Sequence, residues 1–297
     1  MLHTLRNSTW QAGILPQTGA SIAFGQVNHG GGWRDVLRPT PDSDMTNSSK
    51  CSSFIMLPWC NRIRGAVLRF DGVNYPLEAT QDDGTARHGE VRKRAWRILS
   101  ADDTAIRMGI SGGNLTPNAW PFPYSAEAEY RLDGADFIWT LRLTNTGDLP
   151  MPAGFGHHPY FVRSDQPPVL TVPCSQQFEL TDSMATAGPV SISPTVDFRS
   201  PRSMADIPLD DLLTGRDFIL PNRLHYPDSG LTVEMYADPI FVHTLLYAPA
   251  GAPFFAVEPQ SNANDGFALH ANGIPGNGVF VLSPGETTSG TVRLRVI

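Results

Sequence analysis

The chain has 297 residues, 41% of them hydrophobic and 17% charged, with a formal net charge of −7. That length allows one large domain or two ordinary ones, with ample chain for a sizeable core. Its 27 glycines and 26 prolines fall at short intervals, which argues against a bundle of long helices, since each inside a helix costs about 1–3 kcal/mol.

The basic side chains are nearly all arginine, and their densest run, Arg92-Lys93-Arg94, is short. Nothing resembles the clustered basic face of a nucleic-acid binder. No 18-residue apolar stretch is present, so no membrane span is expected. The first twenty residues lack a continuous apolar run, so no signal peptide is expected. Cys51, Cys60 and Cys174 cannot all pair. This predicts reduced thiols and a cytoplasmic setting, with a single disulfide left open.

In chain order, Gly30-Gly31-Gly32 reads as a flexible turn, because it lacks the Gly-Lys-Ser/Thr that completes a phosphate loop. Ala66, Leu68 and Phe70, then Asp71-Gly72, then Val73, Tyr75 and Leu77 read as a hairpin. Gly109-Ile110-Ser111-Gly112-Gly113 matches a nucleophile elbow in letters, but Asn114-Leu115-Thr116-Pro117 does not start the helix that motif needs. A second hairpin places Ala126, Ala128, Tyr130 and Leu132 opposite Phe137, Trp139, Leu141 and Leu143, joined at Asp133-Gly134. Further alternating strands are expected over 231–236 and 291–296, and long surface loops over 111–123 and 261–278. No segment carries a clean helical period beyond about 12 residues. The expected architecture is all-β, a single large antiparallel sandwich spanning 1–297.

Four segments offer chemistry. Asn61-Arg62-Ile63-Arg64-Gly65 precedes the first hairpin, and Arg87-His88-Gly89 follows it. The apolar run 151–161 contains His157-His158, adjacent residues that point to opposite faces of a strand and so do not share one metal ion. In Phe254-Phe255-Ala256-Val257-Glu258-Pro259-Gln260 a carboxylate ends an apolar strand, its exit stiffened by proline. Together they supply an acid, a base and polar anchors, a set suited to a small polyol.

These segments resemble the aldose 1-epimerase (galactose mutarotase) family. The resemblance rests on Asn61-Arg62-Ile63 with Gly65, Phe70-Asp71-Gly72-x-x-Tyr75-x-Leu77, His88-Gly89, Gly156-His157-His158-Pro159-Tyr160-Phe161 and Val257-Glu258-Pro259, in the family's order. It implies the mutarotase supersandwich with a sugar cleft on one face, working without metal or organic cofactor, as a monomer or homodimer. By motif, Glu258 is the general base and His158 the general acid, while Arg62, His88 and Asn61 hold the sugar. A binding aspartate is placed at Asp210, with Asp211 and Asp217 close enough to take its place. After His88 comes Gly89-Glu90 where many members have two glycines, and Val162-Arg163 follows the Tyr-Phe pair.

Anomer exchange requires one group to take the proton of the C1 hydroxyl and another to protonate the ring oxygen. A glutamate near ~4.3 and a histidine near ~6.5 supply that pair with modest tuning. A carboxylate such as Asp210 is expected beside the histidine, raising its pKa. Competing readings are a two-carboxylate glycoside hydrolase using Glu258 with Asp210 or Asp211, a non-catalytic carbohydrate-binding protein, and a hexose-6-phosphate mutarotase. The last needs an arginine cluster, for which Arg64, Arg87 and Arg163 are candidates.

Overall fold

The computed structural model describes residues 2–205 and 208–297. Two large sheets dominate it, one of twelve strands and one of nine, and all named strand pairs are antiparallel. Alternating apolar residues from both inner faces meet in one core. Trp10, Phe161, Phe255 and Val257 come from the larger sheet, and Trp139, Leu141, Val292 and Leu294 from the smaller. Trp10 packs 5.7 Å from Phe137 across the layers, and the Tyr130 hydroxyl donates to the Ala20 carbonyl at 2.9 Å. The result is the antiparallel sandwich that period-two alternation leads one to expect.

The hairpin over Tyr124–Asp133 and Asp136–Asn145 has the expected register, with Leu132 opposite Phe137 and Tyr130 opposite Trp139. Strands Val67–Phe70 and Val73–Pro76 form the earlier hairpin around Asp71-Gly72, both at positive φ. Val73 is exposed there rather than inward. Leu231–Ala237 and Thr287–Val296 pair with each other in the smaller sheet. Ser111 lies on strand Ala105–Gly112 with no helix after it, so the serine motif is a coincidence of letters.

The 261–278 segment departs from a surface loop. Ser261, Asn262, Ala263, Asn264 and Asp265 are buried, and a short helix covers Gly266–Ala271. A polar run can go inside because its groups find partners. The Asn262 side chain accepts from the Cys60 amide at 2.9 Å and donates to the Cys60 carbonyl at 3.1 Å. The three cysteines are free and buried. No helix among the described residues is long and apolar enough to cross a membrane.

Candidate active site

The strand Phe254–Gln260 lies inside the larger sheet, between His243–Ala248 and the segment 156–162. Phe255 and Val257 point into the core, so Glu258 points to the opposite face. Glu258 therefore does not end the strand. Pro259 sits within it opposite Thr244, and pairing continues to Gln260.

On the other side the ladder is interrupted. Gly156 pairs with Gln260 and Tyr160 with Ala256, while His158 and Pro159 face Val257–Pro259 without pairing. Both prolines lack an amide hydrogen, which lowers the cost of the gap. The His158 amide instead donates to the Phe54 carbonyl at 3.0 Å. A glycine is required just before, since a Cβ on Gly156 would lie 2.6 Å from the Pro259 carbonyl oxygen and 2.8 Å from Cys60 Sγ.

This break sends the two histidines to opposite sides. His157 packs against Trp139 at 5.2 Å in the core. The His158 ring stacks on Phe54 at 4.5 Å, and its Nε2 lies 3.1 Å from Glu258 Oε1. The other carboxylate oxygen, Oε2, accepts from Gln260 Nε2 at 2.8 Å. The contact to His158 is off the line of a good hydrogen bond, so Oε1 keeps its accepting capacity for an incoming hydroxyl.

A second, two-stranded ladder brings the remaining candidates. Arg62–Ile63 pairs with Ala86–Arg87, Arg62 opposite Arg87, and the His88 amide donates to the Asn61 carbonyl at 2.8 Å. Asn61 and His88 both adopt left-handed backbone conformations, at φ 53° and 62°. Such strain persists only where surrounding structure enforces it. Gly89 is part of that enforcement: at φ +69°, a Cβ there would lie 2.0 Å from the Leu57 carbonyl oxygen.

Glu258, His158, His88, Asn61, Arg62 and Asp210 all line one cavity of about 290 Å³. Asp210 reaches it from strand Leu209–Arg216, two strands from Glu258 across His243–Ala248. Asp211 instead accepts from the Asp210 amide, and Asp217 accepts from the Ile219 and Leu220 amides in a turn. Arg62 is held by Asp83 at 3.1 Å.

Burial sets the protonation of the central pair. Desolvation pushes the Glu258 carboxyl well above its ordinary range and brings His158 down to about 3. Asp210 is not the partner that raises the histidine. The carboxylate that meets His158 is Glu258 itself, and no rise results. Desolvation raises Asp210 too, and holds His88 well below ordinary imidazole. Burial thus disfavours the charged form of both Glu258 and His158.

Glu90, the extra charge after Gly89, faces away from the cavity. It accepts from the Tyr124 hydroxyl at 2.7 Å and the Gly113 and Trp120 amides at 3.0 and 3.1 Å, tying down the 113–120 loop. Of the three arginines considered for a phosphate, Arg64 is bound to Asp265 and Arg163 to the Met204 carbonyl. Only Arg87 lines the cavity, joined by Arg92, a member of the short basic run 92–94 that carried no site expectation. The mixed neighbourhood of Arg92, between buried Val91 and exposed Lys93, gave little signal. Among the described residues no group of three or more His, Cys, Asp or Glu side chains is arranged for a metal ion.

The antiparallel sandwich is shared with known proteins. The aldose 1-epimerase family profile matches residues 1–295, and the chain belongs to that family. It is 26% identical to the uncharacterized protein YphB of Escherichia coli K12, over 99% of this chain and 98% of that protein. Its fold is similar to the GalM/aldose epimerase homologue of C. elegans, with a TM-score of 0.85 at 18% identity, covering 100% of this chain and 98% of that one. A galactose mutarotase-like protein of Clostridium acetobutylicum also has a TM-score of 0.85, at 14% identity, covering 99% and 94%.

Proposed function

We propose that the protein is an aldose 1-epimerase in which Glu258 and His158 exchange protons with a pyranose. The observation that carries this reading is the approach of His158 Nε2 to Glu258 Oε1, 3.1 Å, inside a polar cavity of sugar size. Family membership gives it the reaction class.

Glu258 takes the proton of the C1 hydroxyl as the C1–O5 bond breaks, and His158 delivers a proton to O5. The open aldehyde rotates about C1–C2. Ring closure on the other face returns both protons by the reverse steps, so neither group is consumed. The neutral pair and the carboxylate–imidazolium pair hold the same single proton. A sugar hydroxyl donating to Oε1 stabilises the carboxylate, and with it the form that has His158 charged. Asn61, Arg62, His88 and Asp210 hold the sugar hydroxyls. Because the group facing Glu258 is a histidine and not a carboxylate, acid–base anomer exchange suits the pair better than two-carboxylate hydrolysis.

The test is exchange NMR of α/β interconversion over a panel of free and charged aldoses. An excess over the buffer rate for at least one sugar is the expected outcome. Rates equal to buffer for all of them, with sugar still bound, reject catalysis in favour of a binding protein.

A further inference from the structure

The cleft holds more positive charge than the reading above uses. Arg92 is only 4% exposed, yet its guanidinium meets no carboxylate among the described residues. Its Nη1 donates to Ser49 Oγ at 2.6 Å, and the group lies 5.5 Å from the Phe54 ring centroid. Arg87 is half-buried, with Nε buried and unpartnered. Asp83 is committed to Arg62 and Glu90 to the 113–120 loop, while Asp210 and Glu258 line the same cavity and attract Arg87 without forming an ion pair with either arginine. Desolvation lowers both guanidiniums, Arg92 to about 10, and each is lowered further by a neighbouring arginine.

Two desolvated guanidiniums side by side, neither in direct contact with a carboxylate, are costly. A ligand oxyanion offsets that cost, and the planar fork of arginine matches a carboxylate or phosphate through paired hydrogen bonds. Position supports this. Ser49, Arg87 and Arg92 line the cavity that contains Glu258 and His158, and the same three line an adjoining cavity of about 590 Å³ with Lys93 and Asn47. The cleft thus continues past the sugar-sized space into a basic, hydroxyl-rich annex.

We propose that Arg87, Arg92 and Ser49 form an oxyanion subsite, and that the substrate is an aldose carrying a carboxylate, phosphate or comparable anion away from C1. The inference rests on the mutarotase reading for the reaction but not for the binding. The reacting end of the sugar lies at Glu258 and His158, and the anion extends towards Arg92.

Titration calorimetry at low salt decides it, using D-glucose and D-galactose beside their 6-phosphates and their uronates. At least one charged sugar should bind tenfold or more tighter than its neutral parent, with the preference shrinking as salt is raised. The phosphate and uronate arms tell which anion is read. Equal affinity for charged and neutral sugars, or no binding of any charged one, overturns the subsite. Arg92→Leu should cut the charged-to-neutral preference at least tenfold, and Arg92→Lys should restore part of it. If Arg92→Leu fails to fold by thermal melting, Arg87→Gln carries the same reading. Exchange NMR on the same sugars separates the two ideas. Catalysis without charge preference removes the subsite and leaves the mutarotase, whereas preferential binding without catalysis does the reverse.

Discussion

His157 and His158 are neighbours in the chain, both buried, and burial holds both down to about 3. Yet they occupy different worlds. His157 faces Trp139 and Tyr130 in the core, with no hydrogen-bond partner at either ring nitrogen among the described residues. His158 faces a glutamate across 3.1 Å in an open cleft. Burial and a depressed pKa therefore do not set the proposed acid apart from its neighbour. The difference lies in what the ring meets, and that is decided by the ladder break at His158-Pro159.

The largest test of that contrast removes the carboxylate. Glu258→Gln keeps shape and an acceptor for Gln260 but removes the proposed base, so catalysed anomer exchange should fall by about 10³–10⁴, with the fold intact by circular dichroism. Wild-type-like rates by polarimetry would take Glu258 out of the mechanism. His158→Asn should lose about 10²–10³ in kcat. A change confined to KM would make His158 a binding residue. The acid limb of the pH–rate profile should also lie well below 6.5, because the pair resists a second proton. A limb at 6.5 would indicate an ordinary exposed imidazole.

Effects on stability come next. Gly89→Ala forces a methyl against the Leu57 carbonyl at positive φ, and should cost about 3 kcal/mol in urea unfolding together with the placement of His88. Acid should weaken the fold through the buried histidines. His157 at about 3 and His243 at about 4 stay neutral in the folded chain, whereas the unfolded chain takes up protons below about 6.5. Their contribution is complete above 6.5 and is lost as pH falls, by up to about 2 kcal/mol each between pH 6.5 and 5. His157→Leu should remove only its own share of that dependence, with His88, His158 and His243 keeping theirs, and change stability at pH 7.5 by less than about 1 kcal/mol, since it deletes a polar ring that has no partners. An unchanged pH slope in that variant would mean that His157 is protonated in the fold.

Much of this molecule is legible one hairpin at a time. The Asp133-Gly134 and Asp71-Gly72 turns, with alternation on either side, specify register because a one-residue slip would turn the apolar face outward. The candidate residues could be picked out by motif for a related reason: Gly89 and Gly156 are demanded by backbone packing, so the short signatures around His88 and His158 carry their own structural cause. Arg92 was not legible. An arginine reads as surface unless its surroundings are known, and its burial arises from contacts with Ser49 and Phe54, 43 and 38 positions earlier in the chain. The buried polar run after Gln260 was misleading for the same reason, since its partners at Cys60 lie about two hundred residues away.

The order of amino acids by itself determined the class of the fold, its hairpins and the identities of the chemical groups, because alternation, turn chemistry and side-chain type are local properties. Only the tertiary structure decided that Glu258 and His158 meet, that burial drives their proton affinities in opposite directions from ordinary values, and that two arginines converge beside them. Those outcomes depend on long-range register and on the exclusion of water, and neither exists until the sheets have closed.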